Sequence, residues 1–443
     1  MTRGSARGRA VVAVMARYPE AGKVKTRLAP ALGPDGAAAL HRELAAHCVG
    51  RMRPLDISGD ARVEVHHDGG STVALREWLG AWPRLVPQVD GDLGHRLDAA
   101  LSRAIGSGAG AAIVLGSDCP AARATHVRAA VRQLAAHDVV IGPAEDGGYW
   151  LLGVGAEASS RALPALFAGI EWGGRDVLRQ TLERAEAASL RVGLVDRLAD
   201  VDRPEDLEYW RAERLRGRTP PTSVSVVIPA LDEALRVGAA VGSAIDGGAS
   251  EVIVVDGGSR DGTRVVAAAA GARVISTRPG RAHQMNVGAD GASGDALLFL
   301  HADTRLPAGF AGRVCEALGT CDTSGGAFTW GTDDTSLAGP FNLAGRLRVA
   351  IFRVPYGDQA LFLRRRTFED LGGYPEQPVM EDWELAQRLR RMDGLRVLPE
   401  RTVTSSRRWT HAGILRPTLA YLGIIAGYRL GIDPVVLDGW RQG

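Results

Sequence analysis

The sequence predicts an α/β protein of two tandem domains, each built on a mixed, mainly parallel sheet. Three observations predict this. Short β-branched or apolar runs alternate with helical patterns along the whole chain, the spacing of strands that pair in parallel. The segment RGRTPPTS (Arg216 to Ser223) breaks that alternation at mid-chain with adjacent prolines and polar flanks, as a linker does. Each half opens alike, with a buried-type strand and then a loop rich in functional side chains: Val11–Met15 and Val224–Ile228. The domains are placed at 1–217 and 224–443, joined by 218–223. At about 220 residues, each is large enough for its own core.

The elements follow in order. The first half offers strands in RVEVHH, AAIVLG, DVVIG and YWLLG, with helices in GAAALHRELAAHCV and HVRAAVRQLAAH. The second offers strands in EVIVV, ARVIS, ALLFL, GGAFTW and QALFLR, with helices in GTRVVAAAA, RAHQMNVGADG and EDWELAQRLRR. Ligands of open parallel sheets bind beyond the carboxyl ends of the strands. The residues that carry chemistry fall there in both halves.

Composition removes other classes. The 443 residues are 45% hydrophobic and 23% charged, an ordinary globular balance. A net charge of +2 from 53 basic and 51 acidic side chains gives no global field for nucleic acid. No apolar stretch reaches ~18 residues, so no spanning helix is expected. The N-terminal apolar run, about six residues, falls short of a signal-peptide core, and the expected location is cytoplasmic. Cys48, Cys119, Cys315 and Cys321 form no CxxC pair and read as reduced thiols. The tail IIAGYRLGIDPVVL is interrupted by Arg429 and Pro434. It is expected to pack on its own domain, with peripheral contact to a membrane or lipid acceptor as the other reading.

In the second half, acidic residues end successive strands: Asp232-Glu233 in IPALDE, Asp256 in VVDGGSRDGT and Asp303 in HADTRLP. Carboxylates meeting in one crevice need a cation or polar hydrogens between them. Asp261 fits a helix start equally well. Asp382 follows Glu381 in VMEDWELAQRL, where helix capping is the other reading. These blocks resemble, in order and spacing, the family-two glycosyltransferases of the GT-A fold. GRAHQMNVGAD, PYGDQA and SSRRW further resemble the bacterial subgroup named for arsenosugar biosynthesis. The resemblance implies a nucleotide-diphosphate sugar donor near Pro229, Asp232, Glu233, Asp256, Arg281, Asp303 and Arg408. It implies Mg2+ or Mn2+ on Asp303, a general base at Asp382, and an unspecified small-molecule or lipid acceptor. His301 stands where the commoner Asp-x-Asp pair has its first acid, so the ion would have fewer acidic ligands. Ser405 replaces the glutamine of processive members, implying a single transfer.

The first half carries the only two lysines of the chain, Lys23 and Lys25, in GKVKTRL. Together with Arg27 they suit a phosphate group. The segment is not a P-loop, because the GKT/S ending and the glycine spacing are absent. Asp118 in GSDCP, Asp146 in EDGGYW, and Asp200 and Asp202 in LADVDRPEDL follow. The set resembles a bacterial family akin to the guanylyltransferases of deazaflavin- and molybdenum-cofactor biosynthesis, so both domains are expected to be GT-A-like, of the nucleotide-diphospho-sugar transferase type. It implies phosphate contacts from Lys23, Lys25 and Arg27, a nucleoside triphosphate ligand, a metal on Asp118 and Asp202, and Asp146 on the substrate side. MARYPEAG replaces the glycine-rich loop of those enzymes, which leaves a non-catalytic nucleotide sensor or scaffold as the alternative.

Overall fold

The structure, a computed structural model, describes residues 8–216, 219–320, 323–332, 357–392, 394–405 and 423–442. The chain divides into two compact units, Thr2–Gly217 and Arg218–Gly443, and each is described by itself.

The strands of the N-terminal unit are β1 (Ala10–Arg17), β2 (Ala61–Asp68), β3 (Arg84–Pro87), β4 (Ala111–Gly116), β5 (Val139–Pro143), β6 (Tyr149–Gly155) and β7 (Val192–Leu194). Among the described residues they form one sheet in the order β3-β2-β1-β4-β6-β5-β7. The first four are parallel, as are β5 and β7, whereas β6 runs against both β4 and β5. A strand covered on both faces reads as a continuous apolar run, and β1 shows why. Val12 and Val14 enter one core with Leu55 and Trp78. Val11 and Ala13 enter the other with Leu97 and Leu166.

The C-terminal unit contains β8 (Val224–Ala230), β9 (Glu251–Asp256), β10 (Arg273–Ser276), β11 (Ala296–Phe299), β12 (Thr304–Arg305), β13 (Gly325–Thr332), β14 (Phe362–Arg364) and β15 (Leu395–Thr404). Their order is β10-β9-β8-β11-β14-β13-β15-β12. The strand β14 is antiparallel to β11 and β13, while β13 and β15 are parallel. Apart from the short edge strand β12, order and direction repeat those of the first unit strand for strand. In each sheet the chain steps outward from its first strand and then returns to that strand's other side. The reversal opens a crevice at the carboxyl ends of β1 and β4, and of β8 and β11.

The helix Arg281–Asp290 lies on β8 and β9 at that crevice. A Cβ at Gly288 would stand 2.3 Å from Val227 Cγ1 and 2.9 Å from Val255 Cγ2. The helix therefore approaches the sheet more closely than any side chain allows. From the same helix, buried Gln284 donates to the carbonyls of Ala230 at 2.9 Å and Val255 at 2.7 Å, where the ladder between β8 and β9 ends. The tail packs on its own unit: Ile424, Ile425 and Leu437 are buried, and the Arg429 guanidinium lies 5.3 Å above the Trp383 ring. Among the described residues no helix is long and apolar enough to cross a membrane. Cys48, Cys119 and Cys315 are free thiols; Cys321 lies outside the described residues.

Two helix glycines give a paired test. Gly288→Ala should destabilise the C-terminal unit by about 1–3 kcal/mol through overpacking. Gly242→Ala, with nothing within 4 Å of the added methyl, should gain about 0.5–1 kcal/mol from helix propensity. Equilibrium urea unfolding reads both.

Candidate active sites

In the C-terminal unit the loops after β8 and β9 are laced together. Asp232 has φ 54°, a left-handed conformation that aspartate tolerates better than most side chains. Its N–H donates to Ser259 Oγ at 2.9 Å, and its Oδ1 accepts from the Arg260 N–H at 2.8 Å. The Glu233 N–H donates to Thr263 Oγ1 at 2.8 Å, and Glu233 pairs with Arg236 at 3.2 Å. Asp261 accepts from the Ala234 and Thr263 N–H groups at 3.1 and 2.9 Å, so it braces the helix start and its neighbouring loop together. Pro229, at the end of β8, is partly buried. Asp256, expected at the nucleotide, is fully buried. Its carboxylate accepts from the Gly258 and Ser259 N–H groups, both at 3.1 Å. It faces the backbone of its own loop and sets that loop's shape.

After β11 come His301 and Asp303. The Asp303 carbonyl accepts from the Ser405 N–H at 3.1 Å, which ties it to the end of β15. Among the described residues no cation pairs with its carboxylate. His301 Nε2 is buried without a hydrogen-bond partner. Burial and then Arg281 hold its imidazole below the ordinary range, with Asp303, Asp358 and Glu381 opposing. The Asp303 carboxylate suits Mg2+ or Mn2+, and an imidazole with an unmatched nitrogen is a ligand that Mn2+ accepts more readily than Mg2+. Among the described residues no third His, Cys, Asp or Glu completes a metal centre. The fit is to an ion that takes its other ligands from phosphate and water.

The helix Glu381–Arg391 starts behind Met380, whose φ is 67°, and no side chain caps it. Asp382 is therefore not the cap. It is one of three acids in the first turn, where the helix dipole favours negative charge. Glu381 is 1% and Asp382 8% exposed. The guanidinium of Arg281 joins them: Nε donates to Glu381 Oε1, and Nη2 lies 3.6 Å from Asp382 Oδ2. The other oxygens, Glu381 Oε2 and Asp382 Oδ1, are buried without partners, as is the Tyr374 hydroxyl. Burial raises the pKa of both carboxyls against the pull of Arg281, and Asp358 raises Asp382 further. Burial, then Asp382 and Glu381, push the Tyr374 phenol well above its usual value. Each unmatched buried polar atom costs about 1–3 kcal/mol. Several gathered together mark a place shaped for a polar ligand. Asn286 fixes Tyr374 through a reciprocal pair, donating to its carbonyl and accepting from its N–H, both at 2.9 Å. Sequence reasoning did not single out Tyr374, Gln284 or Asn286. Arg408 lies outside the described residues.

In the N-terminal unit, Lys25 has φ 44° and a side chain only 8% exposed. Its ammonium is 3.3 Å from Asp118 Oδ2 and 3.6 Å from Asp202 Oδ1. Arg27 Nη1 lies 2.5 Å from Asp202 Oδ2. Burial works against the lysine's charge, but Asp118, Asp202 and Asp200 outweigh it and hold its pKa above the ordinary value. Lys23 is separate, 68% exposed and paired with Glu20 at 2.6 Å. Asp146 is exposed and accepts from the Gly148 N–H at 2.8 Å. The expected metal between Asp118 and Asp202 meets a different arrangement: an ammonium and a guanidinium already engage Asp118 Oδ2 and both Asp202 oxygens. As arranged, this donor set does not fit a divalent ion.

Two family models match separate parts of the chain. Residues 225–363 match glycosyl transferase family 2, and residues 54–174 match an uncharacterized protein family conserved in bacteria, DUF2064. The chain is 34% identical over 118 residues to glucosyl-3-phosphoglycerate synthase of Mycolicibacterium paratuberculosis, a match spanning 24% of this chain and only 36% of that relative's length. A structure from Desulfovibrio desulfuricans G20, designated a nucleotide-diphospho-sugar transferase, is 33% identical, covers 44% of this chain and 83% of its own, and has a TM-score of 0.39. The glucosyl-3-phosphoglycerate synthase of Mycobacterium tuberculosis, in complex with Mn2+, UDP and glucosyl-3-phosphoglycerate, is 24% identical, with 48% and 81% covered and a TM-score of 0.36. Another structure of that enzyme holds Mg2+ and UDP, at 24% identity, 52% and 84% coverage and a TM-score of 0.35.

Burial first, and then the Asp118 and Asp146 carboxylates, push Asp200 up to about 6 from 3.8. A carboxyl whose pKa is raised by folding stabilises the fold below its unfolded value and loses that contribution as pH rises through the folded one. Asp200 should therefore contribute falling stability between about pH 4 and 6, against the rise that buried His41 and His66, held below the ordinary imidazole value, contribute as pH increases. Asp200→Asn should flatten that fall and raise Tm at neutral pH, as read by thermal unfolding across a pH series.

Proposed function

We propose that the C-terminal unit transfers a sugar from a nucleotide-diphosphate donor to an acceptor hydroxyl, with inversion at the anomeric carbon. One observation carries this reading. His301 lies within electrostatic reach of Asp303 and also of Arg281 and Glu381, which supports assigning the strand-end carboxylate and the helix-end acids to one site. The match to glycosyl transferase family 2 supports the same class. The mycobacterial relative, a synthase of a glucosylated phosphoglycerate, supports a small anionic acceptor over a lipid.

The residues divide the work. The braced loops that carry Asp232 and Glu233 receive the nucleoside. Asp303, with His301 beside it, would hold Mg2+ or Mn2+, which when bound offsets the charge that grows on a departing diphosphate. Asp382 accepts the acceptor's hydroxyl proton as that oxygen attacks the anomeric carbon and the bond to the diphosphate breaks. Burial raises its pKa above that of an ordinary carboxylate, which makes it the stronger base. Glu381 Oε2 and the Tyr374 hydroxyl, both unmatched, orient the acceptor, while Arg281 keeps the two carboxylates in register. The N-terminal unit binds a nucleoside triphosphate at Lys25 and Arg27 and activates a precursor for the same pathway. The position of the buried ammonium at the sheet's crevice supports phosphate recognition there.

Asp382→Asn should retain nucleotide affinity and lower kcat by about 10²–10⁴-fold, the value of a general base. Turnover within a few-fold of wild type would place the base elsewhere. Asp303→Ala should abolish the metal-dependent reaction and leave the circular dichroism spectrum unchanged. Full activity in that variant, or in excess EDTA, would remove the metal from the mechanism.

A further inference from the structure

The two sheets share one strand order, so Asp118 after β4 stands where Asp303 stands after β11. Their surroundings are opposite. No cation pairs with the Asp303 carboxylate among the described residues. Asp118 meets the ammonium of Lys25 at 3.3 Å, and Asp202 is engaged at one oxygen by Lys25 and at the other by Arg27. The backbone commits the lysine to this place. It sits in the left-handed region at φ 44° and leads into the turn Thr26–Leu28. A side chain 8% exposed would not keep an ammonium buried without such partners, because an unpaired buried charge costs several kcal/mol.

We infer that Lys25 is a built-in cation that fills, in the N-terminal unit, the place a divalent ion takes in the C-terminal one. This site therefore meets its ligand with ammonium and guanidinium groups and needs no metal. Magnesium demands oxygens at ~2.0–2.1 Å in near-octahedral array. An ammonium at Asp118 Oδ2 and Asp202 Oδ1, with a guanidinium at Asp202 Oδ2, holds three of the four oxygens that such a shell would use. The field argues alike. Lys25 and Arg27 pair with Asp118 and Asp202, while Asp200 remains under the influence of the Asp118 and Asp146 carboxylates. Removing the lysine's charge would leave an acidic nest that draws in a divalent ion. The parallel with the C-terminal unit rests on the metal reading proposed for Asp303, whereas the exclusion of a metal from the N-terminal site rests on Lys25 and Arg27 alone.

The test uses the full chain carrying Asp303→Ala, which silences the C-terminal carboxylate. Mn2+ alone is titrated in, and the free ion is followed by electron paramagnetic resonance. This chain should take up no stoichiometric Mn2+. Adding Lys25→Met should create uptake of one equivalent, lost again on Asp118→Asn. Uptake with Lys25 intact that Asp118→Asn abolishes would overturn the inference, as would a folded Lys25→Met chain that takes up none. Should Lys25→Met fail to fold by circular dichroism, Lys25→Gln removes the charge and keeps hydrogen bonds to the carboxylates, and the same two outcomes decide.

Discussion

Both units depend on the same constraint, the reversal of chain direction beside the central strand. After β1 the chain runs outward through β2 and β3 and comes back to β4; after β8 it runs through β9 and β10 and comes back to β11. Neighbouring parallel strands whose connections leave in opposite directions cannot both be roofed at their carboxyl ends. The loops there must find partners other than a covering helix. In the C-terminal unit they find one another, through Asp232, Ser259, Asp261 and Thr263, and they find Gln284. What remains in the gap is available for ligand.

Burying several carboxylates around such a gap raises a charge problem that the two units solve differently. The N-terminal unit brings up its own cations, Lys25 and Arg27. The C-terminal unit supplies one guanidinium, Arg281, to two acids and leaves an oxygen of each unmatched. Fully satisfied charge favours a fixed structure, whereas incompletely satisfied polar groups hold free energy that a ligand can recover. Strained backbone follows the same division. Lys25, Asp232 and Met380, three of the non-glycine residues with positive φ among those described, each lie in a loop that carries candidate functional side chains. A left-handed conformation costs a non-glycine residue about 1–2 kcal/mol, so surrounding contacts must hold it.

Much of this was legible in the sequence. The β-branched runs located β1, β2, β4, β8, β9 and β11, because strands covered on both faces need no polar alternation. The strand-end acids located both crevices. By contrast β15 was not legible: LRVLPERTVT alternates charged and apolar residues and pairs through an irregular register at Phe328/Thr329. Side-chain direction was not legible either. Asp256 has the position of a ligand residue and turns inward to its own loop. Lys23 and Lys25 look equivalent in GKVKTRL, and only the positive φ at Lys25 sends one inward. Gln284, Asn286 and Tyr374 carry no sequence signal, since an amide or phenol becomes informative only through what it touches.

The fate of those two lysines has a consequence for the solvent. Lys23 pairs with Glu20 in open water, where ions condense around each charge and screen it within about 8–10 Å at ordinary ionic strength. Lys25 is largely shielded by the protein itself, while its partner Asp118 keeps 40% of its side chain exposed. Two residues apart in the chain, one cation belongs to the electrolyte and the other to the fold. Concentrated salt would weaken the first pairing more than the second, so the electrostatics at this crevice are set more by folding than by the medium.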